Sequence, residues 1–280
     1  MQATEHVLSP RQVKKFQAEV WQYFLDHKRD LPWRNVGDDG TINPYHILVS
    51  EVMLQQTQVA RVIPKYQSFL AKFPDLQTLA QATLADVLIA WSGLGYNRRA
   101  RYLHIAAQEL AKLQPPSIPK DIHELIKLPG VGQNTAAAVL VYAFNIPHVF
   151  VETNIRSVFL HHFFDGQSNV ADRQLMPYIE ETLPANKARK WYWALMDYGS
   201  YLKSVNPNPS RASKHHVKQT KFEGSKRQLR GAVLKQLMNS PATLAHLETN
   251  IPDERLQVVL EDLASEGLIT QNKRTYHLGK

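Results

Sequence analysis

The chain has 280 residues, 44% of them hydrophobic, which is enough to bury a core and to build two domains. Its formal charge of +8 suits a polyanionic partner, and the lack of any cysteine excludes disulfides, thiol catalysis and a cysteine-ligated cluster. No apolar run reaches membrane-spanning length and the N-terminus lacks a signal-peptide pattern, so a cytoplasmic, nucleoid-associated protein with no membrane partner is expected.

Apolar residues at helical spacing predict helices over residues 11–26, 46–56, 62–73, 84–91 and 98–113. Ile122, Leu125 and Ile126 continue the pattern over 121–127, and an alanine-rich helix follows over 133–144. Between these two, Pro129 stops the first helix, while Gly130 and Gly132 can take backbone angles closed to other residues. The N–H groups opening the second helix are then free to face an anion, and the helix dipole favours a phosphate there. The glycines alone fit an ordinary joint inside an all-α core more often than a phosphate grip. Helices over 154–164, 173–183 and 186–202 complete this part.

Residues 204–224 read as a basic linker. It contains Asn206-Pro207-Asn208-Pro209-Ser210, then Arg211, Lys214, Lys218 and Lys221 against the single acid Glu223. This divides the chain into a main domain (1–203), the linker (204–224) and a C-terminal domain (225–280). The last is expected to hold helices over 228–237, 242–247 and 253–266, then a hairpin of 267–270 with 275–278, resembling a winged helix. Its would-be recognition helix is acidic at Asp253, Glu254, Glu261 and Asp262, which is poor for reading DNA. A packing or partner-docking module is therefore as good a reading as a DNA reader.

Two carboxylates stand out. Glu51 interrupts the apolar run Ile47-Leu48-Val49-Ser50-Glu51-Val52-Met53-Leu54, so it is either a surface residue or buried for a reason. Glu152 stands where a helix should start. His161-His162 and Phe163-Phe164 read as core. Adjacent His215 and His216 rarely make a ligand pair alone and are expected to face solvent or phosphate.

The run Leu128-Pro129-Gly130-Val131-Gly132-Gln133-Asn134-Thr135-Ala136 resembles the helix-hairpin-helix of base-excision DNA glycosylases related to endonuclease III and MutY. Leu31-Pro32-Trp33-Arg34, Ser50-Glu51-Val52-Met53-Leu54-Gln55-Gln56-Thr57-Gln58-Val59 and Trp91-Ser92-Gly93-Leu94-Gly95-Tyr96 resemble the MutY-like adenine glycosylases, and the similarity covers roughly residues 20–201. The resemblance implies a mainly α fold: two helical lobes with a DNA-binding cleft, one lobe built from residues 30–140, plus the small winged-helix-like C-terminal domain. It gives Glu51 the role of protonating the leaving adenine, a role that needs a raised pKa. Glu152 takes the place of the superfamily aspartate that stabilises the sugar cation, with Asn154 beside it. Gln55, Gln56 and Tyr96 become the groups that fill the stack when a base flips out. Gly130, Gly132, Gln133, Asn134, Thr135, Arg98 and Arg99 become phosphate contacts.

The chain departs from this pattern in several ways. Relatives usually carry a four-cysteine iron–sulfur cluster; here no cofactor is expected beyond a monovalent cation at the hairpin, and residues 206–216 read as a basic loop taking over the cluster's DNA contacts. The C-terminal stretch is too short for the Nudix-like domain that such relatives carry, so none is expected. Arg156 sits one place early, with Ser157 where the family often has arginine. Asn134 stands where lyases place a Schiff-base lysine, and an amide cannot form an imine. The expectation is a monomeric, monofunctional glycosylase acting on double-stranded DNA with a mismatch or lesion, removing adenine opposite 8-oxoguanine or guanine. The alternatives are a uracil or thymine mismatch glycosylase, or an inactive lesion-binding protein. The C-terminal domain is expected to contact DNA or a protein partner.

Overall fold

The computed structural model describes residues 7–216 and 221–279; Lys218 of the basic linker lies outside them. The described helices in chain order are α1 (Pro10–His27), α2 (Pro44–Leu54), α3 (Val59–Lys72), α4 (Leu76–Gln81), α5 (Leu84–Trp91), α6 (Arg98–Ala111) and α7 (Ile122–Leu125). After them come α8 (Gln133–Phe144), α9 (Thr153–Phe163), α10 (Asp172–Thr182), α11 (Ala188–Val205), α12 (Lys226–Asn239), α13 (Leu244–Asn250) and α14 (Leu256–Ser265). The strands are β1 (Ala242–Thr243), β2 (Ile269–Asn272) and β3 (Thr275–Leu278). No helix among the described residues is long and apolar enough to cross a membrane.

The chain forms two compact units. The first gathers residues up to 47, 120–126 and 131–218. Its core is aromatic: the Phe16 ring of α1 lies 5.3 Å from Phe159 and 5.9 Å from Trp191, bringing α1, α9 and α11 together. A buried charge fixes the stretch after α1. Asp197 of α11, 2% exposed, accepts from Arg29 Nε at 2.6 Å and from both terminal nitrogens of Arg34 at 2.8 Å. A bidentate fork of this kind is geometrically demanding. It ties residues 29–34 to α11, so they do not join the expected lobe of residues 30–140. Residues 131–140 also fall in the first unit, because the small alanine side chains of α8 let it pack closely on α11.

The second unit gathers residues 48–119, 127–130 and 219–280. Phe69 of α3 meets Trp91 of α5 edge-on at 5.9 Å, and α6 packs on α4 and α5. The sequence reading passed over α4, six residues long; its local signal is Asp75, whose side chain accepts from the Thr78 N–H as an N-cap.

The C-terminal domain differs from expectation by one strand. β3 is central, paired antiparallel with both β1 and β2, so the wing belongs to a three-stranded sheet. Gly267, at φ +67°, turns the chain out of α14, and β2 starts at Ile269 rather than at residue 267. Three of the four acids of the would-be recognition helix are engaged within the domain: Asp253 by Arg255, Asp262 by Lys226, and Glu261 by the Gln257 amide.

The same domain docks on α5 and α6. An added Cβ at Gly279 would come within 2.9 Å of Leu84 Cδ2, and one at Gly267 within 2.8 Å of Arg101 Nε. Glu266 also approaches Arg98 at 3.8 Å. This is the behaviour of a packing module.

Candidate active site

The carboxylate of Glu152 occupies the N-cap position of α9 but makes no capping hydrogen bond. Aspartate at an N-cap ordinarily accepts from the first-turn N–H groups; Glu152, one methylene longer, does not. Glu152 is partly buried. Desolvation pushes its carboxyl up to about 7, against the opposing pull of the Arg156 guanidinium. Arg156 is itself held bidentately by Asp172, at 2.7 Å on each oxygen. Tyr192 of α11, close enough for the Glu152 charge to raise its phenol further, stacks on Phe150 at 4.3 Å and donates to the His148 carbonyl at 2.7 Å.

Asn154 follows on the first turn of α9. Its amide nitrogen lies 3.8 Å from Met196 Sδ, while its Oδ1 is buried with no hydrogen-bond partner among the described residues. Behind it, α11 presents Gly199. A Cβ there would stand 2.2 Å from the Asn154 carbonyl oxygen, so only glycine lets the two helices approach this closely. Sequence alone does not single out Gly199, since a lone glycine in a helix carries no local signature of its partner.

Residues 206–216, expected as a basic loop, are partly packed against α9, while Arg211 and Lys214 stay exposed. Pro209–Ala212 is a 3₁₀ turn packed on α9, with Ser210 3% and Ser213 7% exposed. Ser157 donates to the Thr153 carbonyl at 2.8 Å. The Ser210 hydroxyl lies 2.6 Å from that of Ser157, where either can donate, and 3.2 Å from the same carbonyl. Val170 adds backbone bonds to Ala212 and Lys214. This strap braces the start of α9. His215 and His216 are exposed, and no group of three potential metal-ligating side chains occurs among the described residues. With no cysteine in the sequence and serines packed against α9, the donor set does not fit an iron–sulfur cluster.

The hairpin glycines are unequal. Gly130 has φ +75°, and a Cβ on it would lie 2.8 Å from that of Tyr102, so it is required twice over. Gly132 caps α8 at an ordinary φ of −85° with open space around it, so only Gly130 uses the backbone freedom open to both. Its value is the clear approach it leaves to the N–H groups of Gln133, Asn134 and Thr135. Asn134 donates to the Val151 carbonyl at 3.0 Å and so steadies the residue next to Glu152.

In the second unit, Glu51 stands partly buried on the last turns of α2, between fully buried Ser50 and buried Val52. Gln55 and Gln56 follow as α2 ends, Gln56 at φ +54° and exposed. Tyr96, 38% exposed, also has a positive φ, +48°.

Arg99 is not a phosphate contact. It is 8% exposed and donates to the carbonyls of Val52, Met53, Gln55 and Gly95 at 2.6–3.1 Å and to the Thr57 hydroxyl at 3.1 Å. The helix end of α2 leaves carbonyls without helical donors, and a planar fork satisfies several at once. Burial pushes this guanidinium down to about 10, so it stays charged at neutral pH. Arg98 keeps an exposed side chain.

Residues 49–184 match the HhH-GPD superfamily of base excision DNA repair proteins. Over 276 residues the chain is 33% identical to the adenine DNA glycosylase of Mycolicibacterium smegmatis, covering 90% of this chain and 92% of that one. This chain belongs to the HhH-GPD superfamily. It is also 36% identical over 190 residues to the adenine DNA glycosylase of Buchnera aphidicola subsp. Baizongia pistaciae, 68% of this chain but only 52% of that relative's length. Among solved structures, a thermostable thymine-DNA glycosylase shares the HhH-GPD fold at a TM-score of 0.61 and 23% identity, over 71% of this chain and 91% of that one. An endonuclease III in complex with DNA shares it at 0.57 and 20%, over 74% and 97%.

Proposed function

We propose that this protein is a monofunctional adenine DNA glycosylase that removes adenine opposite 8-oxoguanine or guanine in double-stranded DNA. The observation that carries the reading is a desolvated carboxylate, Glu152, held at a helix start without being consumed as a cap, beside the unpartnered Oδ1 of Asn154. The adenine DNA glycosylase relatives favour adenine over uracil or thymine as the base.

In this reading the target nucleotide is extruded while Gln55, Gln56 and Tyr96 fill the gap in the stack. Glu51 gives a proton to the adenine, the bond from the sugar C1′ to the base breaks, and the bonding pair leaves with the base. The sugar cation forms against Glu152, whose poorly solvated anion is worth more to it than a hydrated one. Water adds to C1′, its proton passes to Glu152, and Asn154 Oδ1 accepts from the sugar or from that water. With an amide at Asn134 no lysine adduct forms, and the product is an intact abasic site. Backbone N–H groups at the start of α8 grip the phosphate, a monovalent cation at the hairpin would add to that grip, and Arg98 adds charge.

The test is single-turnover base release from duplexes carrying A opposite 8-oxoguanine, A opposite G, and U or T opposite G, with Glu51→Gln and Glu152→Gln beside the wild type. Release of adenine alone, lost in both variants, is expected. Tight lesion binding with no release from any duplex would instead make the protein a lesion sensor.

A further inference from the structure

The C-terminal domain reaches the loop that carries the stack-filling tyrosine. Arg227, on the first turn of α12 behind the capping Ser225, donates from Nη1 to the Tyr96 hydroxyl at 3.0 Å. The two residues are 131 positions apart in sequence. At the other end of the same side chain, the Tyr96 backbone is held at φ +48°, a conformation that an aromatic L-residue rarely adopts. The loop supports it from below: the Arg99 guanidinium lies 5.5 Å from the ring centre and bonds the carbonyl of Gly95 at 3.1 Å. Tyr96 therefore stands part-exposed but restrained at its backbone, its ring and its hydroxyl.

A free surface tyrosine samples several rotamers, and a base stack selects one of them at an entropic cost on binding; a side chain fixed beforehand avoids that cost. We propose that Arg227 is a positioning residue for Tyr96, and that through it the C-terminal domain takes part in binding duplexes in which a base is extruded. This rests on the glycosylase reading above. The domain's location supports the assignment: Glu266, at the end of α14, engages both Arg230 and Arg98, two residues after Tyr96, so the domain also sets the charge flanking the loop. A plain phosphate contact from Arg227 would serve every duplex equally, whereas a residue acting through Tyr96 serves duplexes in which a base is extruded.

The experiment is a double-mutant cycle in the full chain with Arg227→Met and Tyr96→Phe, together with Arg227→Lys. Binding is measured to uncleavable duplexes carrying 2′-fluoro-deoxyadenosine opposite 8-oxoguanine or guanine, and to an undamaged duplex. Each single variant is expected to weaken lesion binding about 5-fold, the size of one partly exposed charge-assisted hydrogen bond. The undamaged duplex is expected to be bound as before, the double variant to be no weaker than Tyr96→Phe alone, and Arg227→Lys to recover most of the loss. Multiplying losses in the double variant, or an equal loss on all three duplexes, would overturn the assignment. Adenine release by the wild type is followed in parallel on the unfluorinated duplex. Failure of the glycosylase reading shows there, and failure of the Arg227 assignment shows in the cycle.

Discussion

The start of α9 and the loop at Tyr96 solve the same problem in opposite ways. In the proposed reaction each holds a functional side chain in one pose. At α9 the device is a missing side chain: Gly199 lets α11 lie against the Asn154 backbone, and neutral serine hydroxyls of the strap brace the outer side. At the Tyr96 loop the device is one large cation, Arg99, whose donors gather carbonyls from the end of α2 and from the loop itself. The first arrangement adds no charge of its own beside Glu152, and the one cation acting on that carboxylate, Arg156, is itself held by Asp172. The second uses a full charge, and the groups it gathers are neutral carbonyls and a hydroxyl.

The largest effect is expected at the charged end of this comparison. Arg99→Leu would leave a cluster of carbonyls facing an apolar side chain and should cost about 3–5 kcal/mol of stability in urea unfolding. Arg99→Lys should recover little, since one ammonium cannot span the fork. Near-wild-type stability of Arg99→Leu would mean that water replaces the guanidinium at little cost.

Gly199→Ala should come next, at about 2–3 kcal/mol, because backbone must move to admit the methyl group. Its distinguishing mark is a loss of base release larger than the loss of duplex affinity, since Asn154 is displaced and the DNA grip is not. Equal losses in both would break the link between Gly199 and the chemistry.

Ser210→Ala should lower stability by about 1 kcal/mol, one neutral hydrogen bond, with a smaller fall in base release. No change in either would reduce the strap to a passive cover.

The smallest effect concerns Glu152 itself. Its folded-state pKa is raised by burial, so between the ordinary carboxylate value and about 7 the folded protein holds a proton that the unfolded chain has lost. Stability therefore declines as pH rises through that window, and the penalty is complete above it. Glu152→Gln should raise Tm by about 2–4 °C at pH 8 and leave it unchanged at pH 4. Base release by the wild type should in turn increase with pH as Glu152 becomes anionic near 7. A Tm gain at both pH values would show that the amide packs better and would say nothing about charge.

The helices were legible because their signals are local. Apolar spacing and caps place α5 and α8 at their observed bounds, and the glycine and proline punctuation places the hairpin turn. Glu51, Glu152, Asn154 and Tyr96 were legible as candidates because the chain keeps the motif words around them. Arg99 was misread for a physical reason: next to Arg98 at a helix start, the sequence offers two equal cations, and only packing decides which turns inward. The strap was misread because a Pro-, Asn- and Lys-rich stretch has linker composition whether or not it lies against a helix.

By itself, then, the sequence determined the mainly helical character, the glycosylase motif set and the impossibility of a cysteine-ligated cluster, all of which depend on residue type and near-neighbour spacing. The tertiary structure decided that Gly199 meets Asn154, that Ser210 meets Ser157, that Arg99 is internal and that Arg227 meets Tyr96. Those pairs are separated by 45 to 131 residues, apart from Arg99 and its carbonyls. Contacts at such range arise from how whole helices pack, and no local rule of spacing or composition encodes them.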